Sequence, residues 1–310
     1  MGLDTFSSVT RAVQLRCPSA GAFLARQWVD HSFRDLSERR AWSWLVKRQQ
    51  FMFAALYNTG TVDVTRSSTT VTGTGTTFTG AMVGRQFRLG VGSPIYTIAT
   101  YTSATSIELD QVYAGTTATG QSYQIYNAYL TVPSDFHSFI SVIDPAYAWK
   151  LWTNVMQSEI DAADPQRASA GQPYVVSATS YDTTTTPPTM RMEFWPHVQQ
   201  QYYLTYLYEA RATDLSDANA SLPRFIRGDL LLEMALAKAA MWPGASADAP
   251  NPYFNLNLAL MHGKNAERLI QEAERQDDDA SAQDLRYASD VNLQMCPWPW
   301  SASWLQSHAT

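Results

Sequence analysis

The sequence predicts an α+β chain: a helical bundle domain built from both chain ends, a central β-strand region, and an inserted small β-barrel or sandwich. Three patterns predict it. Near both termini, apolar residues recur at three- and four-residue spacing, the period of a helix with one buried face. Residues 60–127 hold nine of the fifteen glycines, an excess of Thr and few charges, with short β-type runs between turn residues. Residues 128–210 alternate extended runs with Pro and Gly turns. Helices at both ends with β structure between them imply that the termini pack into one helical domain.

Leu3–Arg16 reads as a short helix with Asp4 or Thr5 as N-cap and Phe6, Val9 and Val13 on one face. Cys17-Pro18-Ser19 breaks it, because a residue before proline is pushed out of the helical region. Gly21–Trp44 reads as a longer helix. Leu24, Trp28, Val29, Phe33 and Leu36 form its broad apolar stripe, opposite Asp30, Arg34, Asp35 and Arg39. Gln49–Leu56 reads as a first strand, since Phe51, Phe53 and Ala55 alternate with smaller or polar residues.

In the Thr/Gly-rich segment, strands are predicted over Thr61–Thr65, Thr69–Val71, Arg85–Leu89, Ile95–Ala99, Ser106–Leu109 and Tyr123–Tyr126. Phe78, Phe87, Leu89, Ile95, Ile98, Ile107 and Leu109 suffice for a small core. Gly73-Thr74-Gly75 and Gly90-Val91-Gly92 complete no G-x-G-x-x-G and precede no helix, so they read as turns and not as phosphate loops.

Next, Tyr129–Val132 is extended and Pro133-Ser134-Asp135-Phe136 is a turn. Ala148, Leu151 and Val155 read as a short helical piece that Asp161 and Asp164-Pro165 end. Gly171-Gln172-Pro173-Tyr174 opens a strand, Thr183–Thr189 is a hairpin loop, and Met190–Trp195 and Gln201–Tyr208 are two further strands. Leu222-Pro223 opens a helix to Trp242 that is apolar nearly all round, hence central in a core. Asn251-Pro252 caps a last helix to about Gln276, with Leu258, Met261, Leu269 and Ile270 inward. Asp277–Asp279 marks the end of the globular part.

The order of these pieces resembles the head-to-tail adaptor (connector or ring, tail tubular A-like) proteins of tailed bacteriophages. That family carries an LPxDF turn, a helix ending in DP…GxP, a strand ending in FWP, a YxxxYxY strand and an LP helix. Here they stand as Val132-Pro133-Ser134-Asp135-Phe136, Asp164-Pro165 with Gly171-Gln172-Pro173, Phe194-Trp195-Pro196, Tyr202–Tyr208 and Leu222-Pro223. Val132 replaces the usual Leu. The Thr/Gly-rich segment resembles β-modules of phage structural proteins. The resemblance implies domains at 1–58 and 211–278 (helices of the adaptor domain), 59–127 (inserted β-domain), 128–210 (β-rich part of the adaptor domain) and 279–310 (extended Trp-rich arm).

It also implies a virion protein of the neck, made in the host cytoplasm. Such a protein forms a ring, of twelve copies to match the portal, around the DNA channel. Its partners are the portal protein, a tail, nozzle or tail-tube protein, further copies of itself, and passing double-stranded DNA held without sequence-specific contacts. Trp298, Trp300, Trp304 and Leu305 are the candidate residues for insertion into the portal or a neighbouring subunit, since buried Trp anchors are frequent interface hot spots. The competing reading folds this arm back over the chain's own helices.

Composition narrows the alternatives. A net charge of −6 argues against a general nucleic-acid binder, which would carry a basic patch. Ten Trp and sixteen Tyr point to large packing or interface surfaces. Cys17 and Cys296 could form one disulfide, but two free buried thiols in a reducing cytoplasm is the preferred reading. No secretory signal and no membrane span is expected. His31, His137, His197, His262 and His308 show no metal-ligand spacing, and no nucleophile elbow occurs. Glu159, Asp161 and Asp164 read as a solvated helix end. The expectation is therefore no enzyme, no metal and no cofactor. The other function classes are a tail-fibre or glycan-binding protein using the β-domain, which the terminal helices argue against, and a cell-wall hydrolase, for which no acid/base pair stands out.

Overall fold

The computed structural model describes residues 3–182, 186–212, 221–223, 226–246, 248–280 and 294–295. Among these the helices are α1 (Phe6–Arg16), α2 (Ala22–Ser37), α3 (Gln157–Ala163), α4 (Gly228–Met241) and α5 (Leu256–Ala280). The strands are β1 (Val46–Phe53), β2 (Thr61–Val64), β3 (Thr70–Thr74), β4 (Gln86–Arg88), β5 (Tyr96–Ser103), β6 (Ser106–Leu109), β7 (Ala118–Gln121) and β8 (Gln124–Thr131). They continue as β9 (Phe136–Asp144), β10 (Trp149–Lys150), β11 (Val175–Asp182), β12 (Thr189–Val198), β13 (Tyr202–Ala210), β14 (Gly244–Ser246), β15 (Ala249–Pro250) and β16 (Gln294–Met295). The chain is thus a mixed helix-and-sheet protein, and it divides into two compact units.

The helical unit draws on Met1–Lys47 and Glu209–Asn292. Thr5 starts α1 with a capping box: its Oγ1 accepts from the Ser8 N–H at 3.3 Å, and Ser8 Oγ accepts from the Thr5 N–H at 3.2 Å. The predicted stripes of α1 and α2, Leu24 only in part, are buried in one core with Leu230, Leu231 and Leu236 of α4 and Leu269 and Ile270 of α5. Each such Leu contributes about 1.5–3 kcal/mol by leaving water. Trp42 is fully buried and donates its indole N–H to the Leu36 carbonyl at 2.9 Å. Helix α4 packs on α1, α2 and α5, as an all-round apolar helix must.

Three expectations for this unit are corrected. First, Leu222-Pro223 does not open α4. Leu222 donates its N–H to the Asp4 carbonyl at 3.2 Å, Ser221 bridges to Thr5, and the helix starts at Gly228. Second, the cap of α5 is Asn255, whose Oδ1 accepts from the N–H groups of Asn257 (2.9 Å) and Leu258 (3.1 Å). Asn251 is instead buried, where its amide donates to the Ala239 and Trp242 carbonyls and accepts from Cys17, Ser19 and the Tyr253 N–H. Third, α5 buries Ala259, His262, Ala266, Leu269, Ile270 and Ala273, which turns Met261 outward to 50% exposure. Asp277, expected at the end of the globular part, lies in the last turn of α5, which ends at Ala280. Its carboxylate is fully buried and accepts from the Ser43 N–H at 3.2 Å and from the Ser43 hydroxyl.

The β-unit is mainly Arg48–Tyr208. One sheet has the order β1-β13-β9-β10-β16 and the other β11-β12-β8-β4-β5-β6-β3-β2-β7. The Thr/Gly-rich strands do not close into a barrel. Strand β8 pairs with β4 through Gln124–Tyr126 and with β12 through Tyr129–Thr131, so the sheet runs on and stays open. It curls nonetheless, because Val62 of β2, Phe87 of β4 and Ile125 of β8 share one core across non-neighbouring strands.

The residues expected to form a helical piece are mostly extended. Phe136–Asp144 is a strand, and Trp149–Lys150 returns against Ile143–Asp144. Asp144 Oδ1 accepts from the Ala146 (2.9 Å) and Tyr147 (3.3 Å) N–H groups, an Asx turn that competes with helix formation. Ala148 follows at φ +55°. The helix, α3, begins only at Gln157, where Glu159 accepts from the Met156 N–H at 3.2 Å. Aromatic rings tie strands of the two sheets together: Phe51 of β1 stacks on Tyr206 of β13 at 4.2 Å and meets Phe194 of β12 edge-on at 4.8 Å.

Candidate functional site

The motif residues of the β-unit clamp one another. Asp135, in the Pro133–Phe136 turn, accepts from the Tyr208 hydroxyl at 3.1 Å. Asp144 is fully buried and accepts from the Tyr202 hydroxyl and the Gln172 amide. The YxxxYxY strand is thereby tied at both ends, to the turn that precedes it and to the Gly171-Gln172-Pro173 segment. Burial and the Asp144 carboxylate push the Tyr202 hydroxyl well above the usual tyrosine range.

The second clamp joins Asp164-Pro165 to Phe194-Trp195-Pro196. Asp164 accepts from the N–H groups of Ala168 and Ser169, both at 2.8 Å, and from the Trp195 indole at 3.1 Å. Burial pushes its pKa up, but these donors outweigh that and hold it below the ordinary carboxylate range. Arg167, at φ +50°, binds the buried Glu193 through Nε at 2.5 Å and also pairs with Asp161. Gln157 donates to the same Glu193. Arg88, 1% exposed, donates to the Arg167 carbonyl at 2.8 Å and to Gln124 at 2.9 Å, and lies over the Tyr126 ring at 5.0 Å.

His197 closes this layer. Its ring is 3% exposed, packs 4.7 Å from Tyr126, and finds no hydrogen-bond partner at either nitrogen among the described residues. Burial first, and the Arg88 cation second, lower its pKa to about 4, so the imidazole is neutral at physiological pH. Tyr126 is pushed up to about 12, chiefly by burial.

This arrangement does structural chemistry. The three carboxylates flagged in the sequence face separate partners: Glu159 the Met156 N–H, Asp161 the Arg167 guanidinium, and Asp164 its three N–H donors. Among the described residues no three His, Cys, Asp or Glu side chains converge as metal ligands. No described helix is long and apolar enough to cross a membrane.

The other predicted positions divide plainly. Trp298, Trp300, Trp304 and Leu305 lie outside the described residues, as do Cys296 and His308. Cys17 is buried, its thiol donating to Asn251 Oδ1 at 3.3 Å. His31 and His137 are exposed. His262 links α5 to α4: it contacts Glu233 of α4 at 2.7 Å through Nδ1 and the Tyr253 hydroxyl at 2.8 Å through Nε2. Sequence reasoning missed this triad. Glu233, a single acid inside the apolar run of α4, was its only signal.

The helical unit carries a further feature. Phe254, Leu256, Leu260 and Met261 are 46%, 61%, 62% and 50% exposed, around the first turns of α5. Leu15 and Phe23 each reach 73%. Comparison of the chain with protein-family models and with curated proteins gives no match.

Proposed function

We propose that this chain is a structural virion protein, a head-to-tail adaptor that forms a ring beneath the portal and joins the capsid vertex to the tail. The observation that carries the reading is the cluster of exposed apolar side chains on the helical unit, Phe254, Leu256, Leu260 and Met261. Grouped large apolar side chains on a surface mark sites of protein association. In this reading the helical bundle makes the ring and meets the portal. The β-unit faces tail or fibre proteins, and the Trp-rich arm carrying Trp298, Trp300 and Trp304 inserts into a partner. The clamps among Asp135, Asp144, Asp164 and their donors suit a part that bears load and catalyses nothing, since each carboxylate is used up in holding strands and turns in register. The motif order resembling phage adaptors is the second support.

The test is the copy number of this chain per particle relative to the portal, by quantitative mass spectrometry of purified virions. Equal numbers are expected. A ratio typical of trimeric fibres, or absence from the particle, would transfer the role to the β-unit as a recognition module or remove it from the virion.

A further inference from the structure

Arg85, just before β4, is a buried cation that meets no counter-charge among the described residues. It is 7% exposed, and its Nη2 donates to the backbone carbonyls of Ala55 at 2.5 Å and Ile125 at 3.1 Å. Among the described residues its buried Nε–H has no acceptor and no carboxylate pairs with it. Burial alone acts on its pKa, which it lowers. The neighbouring arginines differ. Arg191 is held by Asp182 at 3.1 Å, Arg167 by Glu193 and Asp161, and Arg88 lies against the Tyr126 ring.

Arg85 lines a pocket of about 350 Å³, together with Asn127, Met52, Val83 and the paired Asp182 and Arg191. The register that pairs Gln86 with Tyr126 puts Arg85 beside Asn127 on the adjacent strand. Asn127 uses its Oδ1 to accept from the Ala54 N–H at 3.0 Å, which leaves its amide N–H groups available. Met52 and Val83 are 59% and 44% exposed and give the pocket an apolar rim. A buried guanidinium needs a charge partner to offset its lost hydration. One free cation, one free amide and an apolar rim match a single carboxylate on an alkyl stem better than a phosphate, whose larger charge calls for more cationic donors.

We infer that this pocket is a binding site for a carboxylate, anchored by Arg85 with Asn127 as second donor. The occupant is either an acidic side chain of a second copy of this chain or a free carboxylic acid, and one experiment separates the two. The full chain, nitrogen-labelled at arginine, is titrated with sodium acetate, with sodium chloride at matched ionic strength, and with inorganic phosphate, while the Arg85 Nε–H resonance is followed. The resonance is assigned by its loss in Arg85→Lys, or by through-bond transfer from the Arg85 backbone amide where that variant does not fold. A saturable shift with acetate, absent with chloride and weaker with phosphate, is the expected result. If the resonance also moves as the chain alone is concentrated, the carboxylate comes from a second copy; if only added acetate moves it, the ligand is a free acid. No saturable shift, or an equal shift with chloride, overturns the site. Phosphate binding as tight as acetate overturns the carboxylate assignment.

Discussion

Trp195 donates its indole N–H to Asp164 Oδ2 at 3.1 Å, and so fixes the end of one β12 segment to the turn that follows α3. Asp164→Ala would strand one buried donor, the indole, and two partly buried ones, the Ala168 and Ser169 N–H groups. An unmet buried donor costs about 1–3 kcal/mol, and the partly buried N–H groups lose less because water can reach them, so the variant should lose roughly 2–3 kcal/mol. Trp195→Phe leaves the two backbone donors satisfied and should lose less. Urea midpoints at unchanged slope would establish that order, and equal losses would refute the clamp.

His197 makes the β-unit sensitive to acid. Its folded pKa of about 4 lies below the ordinary value of 6.5, so the unfolded chain binds the proton more readily. Stability is therefore complete above about pH 6.5 and falls as the pH drops through about 4, by roughly 3 kcal/mol from this residue. His197→Phe should flatten that part of the stability curve. A slope unchanged between pH 6.5 and 4 would assign the acid sensitivity to other groups.

Leu256→Asp with Leu260→Asp tests the exposed face of α5. Both side chains already stand in water, so the isolated chain should change by no more than about 0.5 kcal/mol. Incorporation into particles, read by mass spectrometry, should drop sharply. Normal incorporation would mean that this face meets nothing.

Deleting residues 297–310 is expected to leave a soluble, folded chain that no longer binds its portal. A pull-down with purified portal measures it, and undiminished binding would rule out the arm as the anchor.

Legibility in the sequence followed the strength of local pattern. The stripe of Trp28, Val29, Phe33 and Leu36 was readable because the helical period decides which side is buried, and the structure buries all four. Ala148, Leu151 and Val155 also have helical spacing, yet the backbone there is set by Asp144, whose carboxylate captures the next two free N–H groups. A run that short cannot be assigned from spacing alone. The motif turns were visible as punctuation, but their pairing was not: nothing local says that Asp135 waits for Tyr208, or Asp144 for Tyr202. Arg85 was invisible as a buried group, since an arginine at a strand start reads as exposed. The burial of Asp277 was invisible too, because its partner Ser43 lies near the other end of the chain.

Asn251 ties Cys17 and Ser19 to the C-terminal end of α4, across more than 230 positions of chain. That distance has a consequence during synthesis. The first two helices emerge from the ribosome with Phe6, Val9, Trp28 and Phe33 uncovered, and the residues that cover them are not yet made. At about 5–20 residues per second the wait is on the order of ten to forty seconds. The β-unit has every strand but the short edge strand β16 available in that interval and can fold first. A nascent chain stalled before α4 should therefore carry a structured middle and a sticky N-terminus, the form in which a holding chaperone would find it.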